Sequence, residues 1–132
     1  MKRVLFALFM LTATIGVTSV QPVSAYTPAP AAPVTQSAFN AKVNLMDTQL
    51  GDGNITAAQA TWEEIHTMML SVLATTKTSI QTASSPAVEA SYRSILDNQI
   101  AIYRVVWGLK PNLAANRAAI HTKLGDFSAT IY

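Results

Sequence analysis

The sequence predicts an all-α protein, an antiparallel bundle of four helices with up-down-up-down topology. From Gln36 onward, apolar residues recur at steps of three and four, the period of a helix that buries one face. Connections of about three to five residues separate these segments, and such short connections place consecutive helices antiparallel. Strand signals, in which apolar and polar residues alternate, are weak throughout. The bundle domain is expected to occupy residues 36–132.

Residues 1–25 have the pattern of a secretory signal peptide. Lys2 and Arg3 give a cationic start, residues 4–17 are mostly apolar, and residues 23–25 (Val-Ser-Ala) form the small-residue pattern that signal peptidase recognises. We therefore expect cleavage near Ala25 and export to the bacterial periplasm or the cell exterior. The alternative is an uncleaved anchor, but Thr and Gly residues shorten the apolar run below the roughly 20 residues that a span needs. The mature chain is expected not to insert into a membrane.

The segment that follows, residues 26–35, is rich in Pro and Ala. Pro28, Pro30 and Pro33 are spaced so that neither a helix nor a sheet ladder can continue through it. We expect a disordered tail. It is interpreted as a spacer after the cleavage site, with a tether or a polyproline ligand as the alternative role.

Charge and cysteine content restrict the possible functions. The net charge of +2 comes from Lys2 and Arg3 in the predicted leader, because nine Lys and Arg residues stand against seven Asp and Glu residues in the whole chain. No cluster of basic and aromatic residues marks a phosphate-binding face, so nucleic acid is not an expected partner. The chain has no cysteine. It can form no disulfide, and its stability must come from a packed core.

The first helix is predicted over Gln36–Gly51, and residues 51–54 (Gly-Asp-Gly-Asn) have the composition of a tight turn. Thr56 and Gln59 fit a capping box, so the second helix should run from Ala57 to about Thr82. The apolar stripes of these two helices are Phe39, Val43, Met46 and Leu50, followed by Trp62, Ile65, Met69, Val72, Thr76 and Ile80.

The third helix should begin with Ser85 as its cap and Pro86 in its first position, and should end near Gly108 and Pro111. Its stripe is Val88, Tyr92, Ile95, Gln99, Ile102, Val106 and Leu109. The fourth helix should continue to about Thr130 along the heptad of Leu113, Ile120, Leu124, Phe127 and Ile131, which Asn116 interrupts. A three-helix bundle with the short first helix lying across it is the alternative architecture.

Gln99 is the most anomalous residue of these stripes, because a buried amide must find hydrogen-bond partners or cost about 1 to 3 kcal/mol. We expect a core polar network that joins Gln99 with His66, His121 and Asn116. Such a network more often fixes helix register than binds a ligand.

Glu63 and His66 form a Glu-x-x-His pair, which di-iron four-helix bundles use to bind metal. The second copy that such a site requires is missing, because Ala118 stands three residues before His121. The main interpretation is therefore that the protein binds no metal or other cofactor. The alternative is a metal-binding bundle that uses His66 and His121 with Glu63 or Asp97.

The functional prediction is a small exported binding or structural protein without catalytic activity. The sequence contains no nucleophile motif, no phosphate-binding glycine loop and no paired carboxylates in an apolar setting, so an enzyme is not expected. Tyr103 and Trp107 lie one helical turn apart with Arg104 beside them, and they are the predicted partner surface. The expected partner is an unknown protein or envelope component.

Overall fold

The computed structural model describes residues 32–132. The predicted signal peptide and residues 26–31 of the predicted tail lie outside the described residues. Four α-helices are present: α1 (Gln36–Gly51), α2 (Ile55–Gln81), α3 (Pro86–Leu109) and α4 (Arg117–Ser128), with a 3-10 turn at Lys110–Asn112. Within the described range no strand occurs. The prediction of an all-α fold with four helices is thus confirmed.

The four helices pack in a ring around one core. Each helix contacts the next along the chain, and α1 also contacts α4. Within the described residues, the diagonal pairs, α1 with α3 and α2 with α4, make no close backbone contact. All four helices contribute to the core, which consists of Phe39, Val43, Met46, Leu50, Ala58, Trp62, Ile65, Met69, Val72, Ile102, Val106, Leu113, Ile120, Leu124 and Phe127. No helix in residues 32–132 has both the length and the apolar character needed to cross a membrane.

The first half of α3 is less buried than its stripe predicts. Val88 is exposed, and Tyr92 and Ile95 are only half-buried. The reason lies in the helix lengths: α2 and α3 have 27 and 24 residues, whereas α1 and α4 have 16 and 12. At a rise of about 1.5 Å per residue, the shorter helices cannot cover the longer ones over their full length.

The turn between α1 and α2 differs from the prediction at one point. α1 ends at Gly51 as expected, and Gly53 takes a positive φ of 75° that glycine adopts readily. The cap of α2 is Asn54, whose side chain accepts a hydrogen bond of 3.2 Å from the amide of Ala57. The predicted capping box of Thr56 is wrong, because this cap starts the helix at Ile55 and leaves Thr56 inside the first turn.

At α3 the predicted start is confirmed: the Ser85 hydroxyl accepts from the amide of Val88 at 3.3 Å, and Pro86 is the first helical residue. The prediction of a continuous fourth helix that begins at Leu113 is wrong. Leu113 is buried in the core, but it follows the 3-10 turn and α4 begins only at Arg117. Asn116 Nδ2 donates to the carbonyl of Leu109 at 3.0 Å, which ties this connection to the end of α3.

Candidate functional site

A cluster of aromatic and charged side chains joins the first half of α2 to the end of α3. Its centre is His66, whose Nε2 shares a hydrogen bond of 2.9 Å with the hydroxyl of Tyr103. The His66 ring lies 5.8 Å from the Tyr103 ring and 4.9 Å from the Trp107 ring, measured between centroids. Tyr103 and Trp107 are four residues apart and therefore share one face of α3.

Charged groups complete this cluster. Lys110 Nζ donates to Glu63 Oε1 at 3.0 Å and lies 4.7 Å from the centroid of the Trp107 ring, a distance typical of a cation–π contact. Glu63 Oε2 is 3.8 Å from His66 Nδ1. We call Glu63, His66, Tyr103, Trp107 and Lys110 the α2–α3 cluster.

A groove of about 570 Å³ opens beside the cluster. Trp62 and Leu113 are its buried lining residues, whereas Trp107 is 44% exposed. The indole nitrogen of Trp62 is buried and has no hydrogen-bond partner among residues 32–132. We call this surface the Trp107 groove; it is lined by Gln59, Ala60, Trp62, Glu63, Trp107, Lys110, Pro111 and Leu113.

The electrostatics of the groove are set by the pair of Glu63 and Lys110. The hydrogen bond from Lys110 lowers the pKa of Glu63 below its ordinary value, and the charges of Lys110 and His66 act in the same direction. Glu63 is therefore ionised at neutral pH. The carboxylate and the ammonium together leave this part of the groove without net charge.

The predicted core polar residues do not meet in one network. Gln99 is fully buried, but its Nε2 donates to the Thr130 hydroxyl at 3.1 Å, and its Oε1 has no partner in the described part of the chain. His66 bonds Tyr103, Asn116 bonds the Leu109 carbonyl, and His121 is exposed. Gln99 lies beside the end of α4, whereas Asn116 precedes its beginning, so the length of α4 separates them.

The residues of the alternative metal site are also not brought together. Glu63 and His66 are neighbours, but Asp97 is exposed on α3 and His121 is exposed on α4, a helix whose described residues make no close backbone contact with α2. Across residues 32–132, no group of three or more His, Cys, Asp or Glu side chains is arranged to hold a metal ion. His121 instead lines a shallow depression beside Asp47 and Arg117.

Of the predicted partner surface, Tyr103 and Trp107 belong to the cluster and Arg104 is exposed beside them. Sequence reasoning missed Lys110 and Gln59, and it assigned Trp62 to the core, where it is buried while also lining the groove. The Glu-x-x-His spacing did single out Glu63 and His66, although for metal binding. Lys110 had no such signal, because its contact with Glu63 spans 47 residues of sequence.

The geometry of this groove has to be interpreted on its own. Comparisons of the chain with protein-family models, with curated proteins and with solved structures give no match.

Proposed function

We propose that this chain is a small exported binding protein without catalytic activity, and that the Trp107 groove is its contact site. The observation that carries the proposal is the half-exposed indole of Trp107, held in a groove by contacts with His66 and Lys110. Tryptophan and tyrosine dominate the energetics of binding surfaces, because they supply large, rigid contact areas. Tyr103 and Arg104 extend the contact site along α3.

The non-catalytic part of the proposal rests on the chemistry of the groove. An acid or base at neutral pH needs a pKa near 7, and a carboxylate reaches such a value by burial in an apolar setting. The pKa of Glu63 moves in the opposite direction, because Lys110 stabilises its charged form. This direction supports a role of Glu63 in recognition by hydrogen bonding.

We further propose that the four helices alternate in direction, which places the groove at one end of an up-down-up-down bundle. Arg117 at the start of α4 bonds Asp47 near the end of α1, and Lys110 after α3 bonds Glu63 near the start of α2. At the opposite end, Gln36 Nε2 donates to the carbonyl of Ser128 at 3.1 Å. These contacts and the short connections support alternating directions.

Export is proposed from the signal-peptide pattern of residues 1–25. It determines where the partner is sought: a protein or another component of the cell envelope, rather than a cytosolic molecule.

Affinity capture from an envelope fraction tests this function. The purified chain is immobilised in parallel with its Trp107→Ala and Val105→Ala variants. Val105 is a matched control, because it is 48% exposed on the same helix and points about 200° away around the helix axis. We expect a component retained by the wild type and by Val105→Ala but lost with Trp107→Ala. Equal retention by all three proteins, or retention by none, would contradict the proposal.

A further inference from the structure

We propose that the Trp107 groove binds a neutral sugar, one pyranose ring of which contacts the exposed part of the Trp107 indole and the polar groups of Glu63, Lys110 and Gln59. This inference rests on the proposed function and adds the chemical class of the ligand.

The lining of the groove is the first argument, since it combines apolar surface with hydrogen-bonding groups of both kinds. Trp107, Pro111 and Leu113 offer apolar contact, and the Gln59 amide stands beside them. A purely hydrocarbon ligand would displace the water that is hydrogen-bonded to these polar groups and would offer them no hydrogen bonds in return, which is unfavourable. The ligand must therefore present both an apolar face and a polar edge.

The charge of the groove is the second argument. Glu63 and Lys110 neutralise each other across a contact of 3.0 Å. An anionic ligand would meet the Glu63 carboxylate, and a cationic ligand would meet the Lys110 ammonium that already lies over the Trp107 ring. A ligand without charge avoids both repulsions, so electrostatic complementarity favours a neutral molecule.

The third argument is the set of hydrogen-bond donors and acceptors that the lining side chains offer. Glu63 can only accept, Lys110 can only donate, and the Gln59 amide does both. A hydroxyl group donates and accepts, so a ring that carries several hydroxyls can satisfy all three side chains. A pyranose has such an edge, and its apolar C–H groups suit contact with the exposed part of the Trp107 indole. The volume of about 570 Å³ lies in the range of small-ligand sites and accommodates a short oligosaccharide.

Both tryptophans of the chain line the groove, which makes the inference simple to test. Tryptophan fluorescence of the full chain is titrated with cellotriose and triacetylchitotriose as neutral probes and with trigalacturonate as an anionic probe. We expect a saturable change with at least one neutral probe and binding of trigalacturonate weaker by about tenfold or more. The affinity for the neutral probe should fall by about tenfold in Trp107→Ala and should equal that of the wild type in Val105→Ala.

A Glu63→Gln variant gives a second, independent readout. It keeps the shape of the side chain but leaves the Lys110 ammonium without its carboxylate, so the preference should shift from the neutral probe towards trigalacturonate. Circular dichroism verifies that each variant is folded. The inference is overturned if no neutral probe gives a saturable signal or if trigalacturonate binds the wild type as tightly as the neutral probe does. It is also overturned if Trp107→Ala binds the neutral probe with unchanged affinity. Trp107-dependent capture of an envelope protein without sugar binding would reject the ligand class and retain the proposed function.

Discussion

The buried side chain of Gln99 uses only part of its hydrogen-bonding capacity. Its amide nitrogen donates to the Thr130 hydroxyl at 3.1 Å, while its oxygen lies in the core without a partner among the described residues. The same nitrogen also donates to the Thr130 carbonyl at 3.4 Å. A buried acceptor without a partner costs about 1 to 3 kcal/mol, which is enough to offset the net value of about 1 kcal/mol for each hydrogen bond that is made.

Replacing Gln99 by Met should therefore leave the free energy of unfolding unchanged or raise it, by up to about 2 kcal/mol. Methionine keeps the unbranched shape and removes the unpaired oxygen. Urea denaturation measures the difference, with Gln99→Ala as the control, since its cavity should cost about 2 kcal/mol or more. A loss of more than about 2 kcal/mol in Gln99→Met would show that the amide makes a stabilising contact beyond that to Thr130.

The ion pair of Asp47 and Arg117 makes stability depend on pH in the acidic range. Two hydrogen bonds of 2.8 Å from Arg117 hold the pKa of Asp47 below its ordinary value. A carboxyl group with a lower pKa in the folded state stabilises the protein above the unfolded value of about 3.9. That contribution disappears as the pH falls from there through the folded pKa.

Asp47→Asn should lower the free energy of unfolding at pH 7 by at most about 1 kcal/mol, because the pair is partly exposed. The difference from the wild type should shrink as the pH falls from about 3.9 through the lower folded pKa of Asp47. Denaturation at a series of pH values measures it. Arg117→Met should reproduce the pattern, and the double variant should lose less than the sum of the single losses. A difference that is constant with pH would contradict the assignment.

At the level of the helices, the turn between α1 and α2 depends on one backbone conformation. Gly53 has a φ of 75°, and a Cβ atom built there would meet no atom within 4 Å. Gly125 lies inside α4 and has the same free space. The two glycines therefore differ in backbone conformation and not in room for a methyl group.

Alanine substitution should have opposite effects at these two glycines. Gly53→Ala should lower the free energy of unfolding by about 1 kcal/mol, because an L-residue is strained at positive φ. Gly125→Ala should raise it by up to about 1 kcal/mol, because alanine favours helix. Thermal unfolding of both variants measures the two shifts. Shifts of the same sign would contradict the conformations of these two positions.

The start of α2 allows a similarly paired test. Asn54→Ala should lower the free energy of unfolding by about 1 kcal/mol through loss of the cap, whereas Thr56→Ala should change it little. Chemical denaturation distinguishes the two variants. A larger loss for Thr56→Ala would restore the capping box that the sequence predicts.

These elements also indicate how much of the fold the sequence could predict. The apolar stripes and the cap at Ser85 predict the bounds of α1 and α3 accurately, because an apolar period of 3.6 and a Ser-Pro start are local signals. The start of α4 is not a local signal. Leu113 reaches the core from the 3-10 turn, and heptad spacing counts residues without specifying the conformation between them.

At the scale of the whole molecule, the candidate site depends on how α2 and α3 align. The sequence could identify Tyr103 and Trp107 as neighbours, because both lie on one face of one helix. It could not pair Lys110 with Glu63 or Gln99 with Thr130, since those contacts follow from the axial register of packed helices. The Trp107 groove is a product of that register and has no signature in either helix alone.

The most direct test of the groove as a binding site is the nuclear magnetic resonance spectrum of the two indole N–H groups. In the free protein, the signal of the buried Trp62 should exchange slowly with solvent and that of the half-exposed Trp107 rapidly. Adding the neutral probe that gives a saturable change in fluorescence, cellotriose or triacetylchitotriose, should shift both signals and the backbone amides of Gln59 and Lys110, but not that of Ser79 at the opposite end of α2. Unchanged indole signals, or shifts confined to residues outside the groove, would contradict the account.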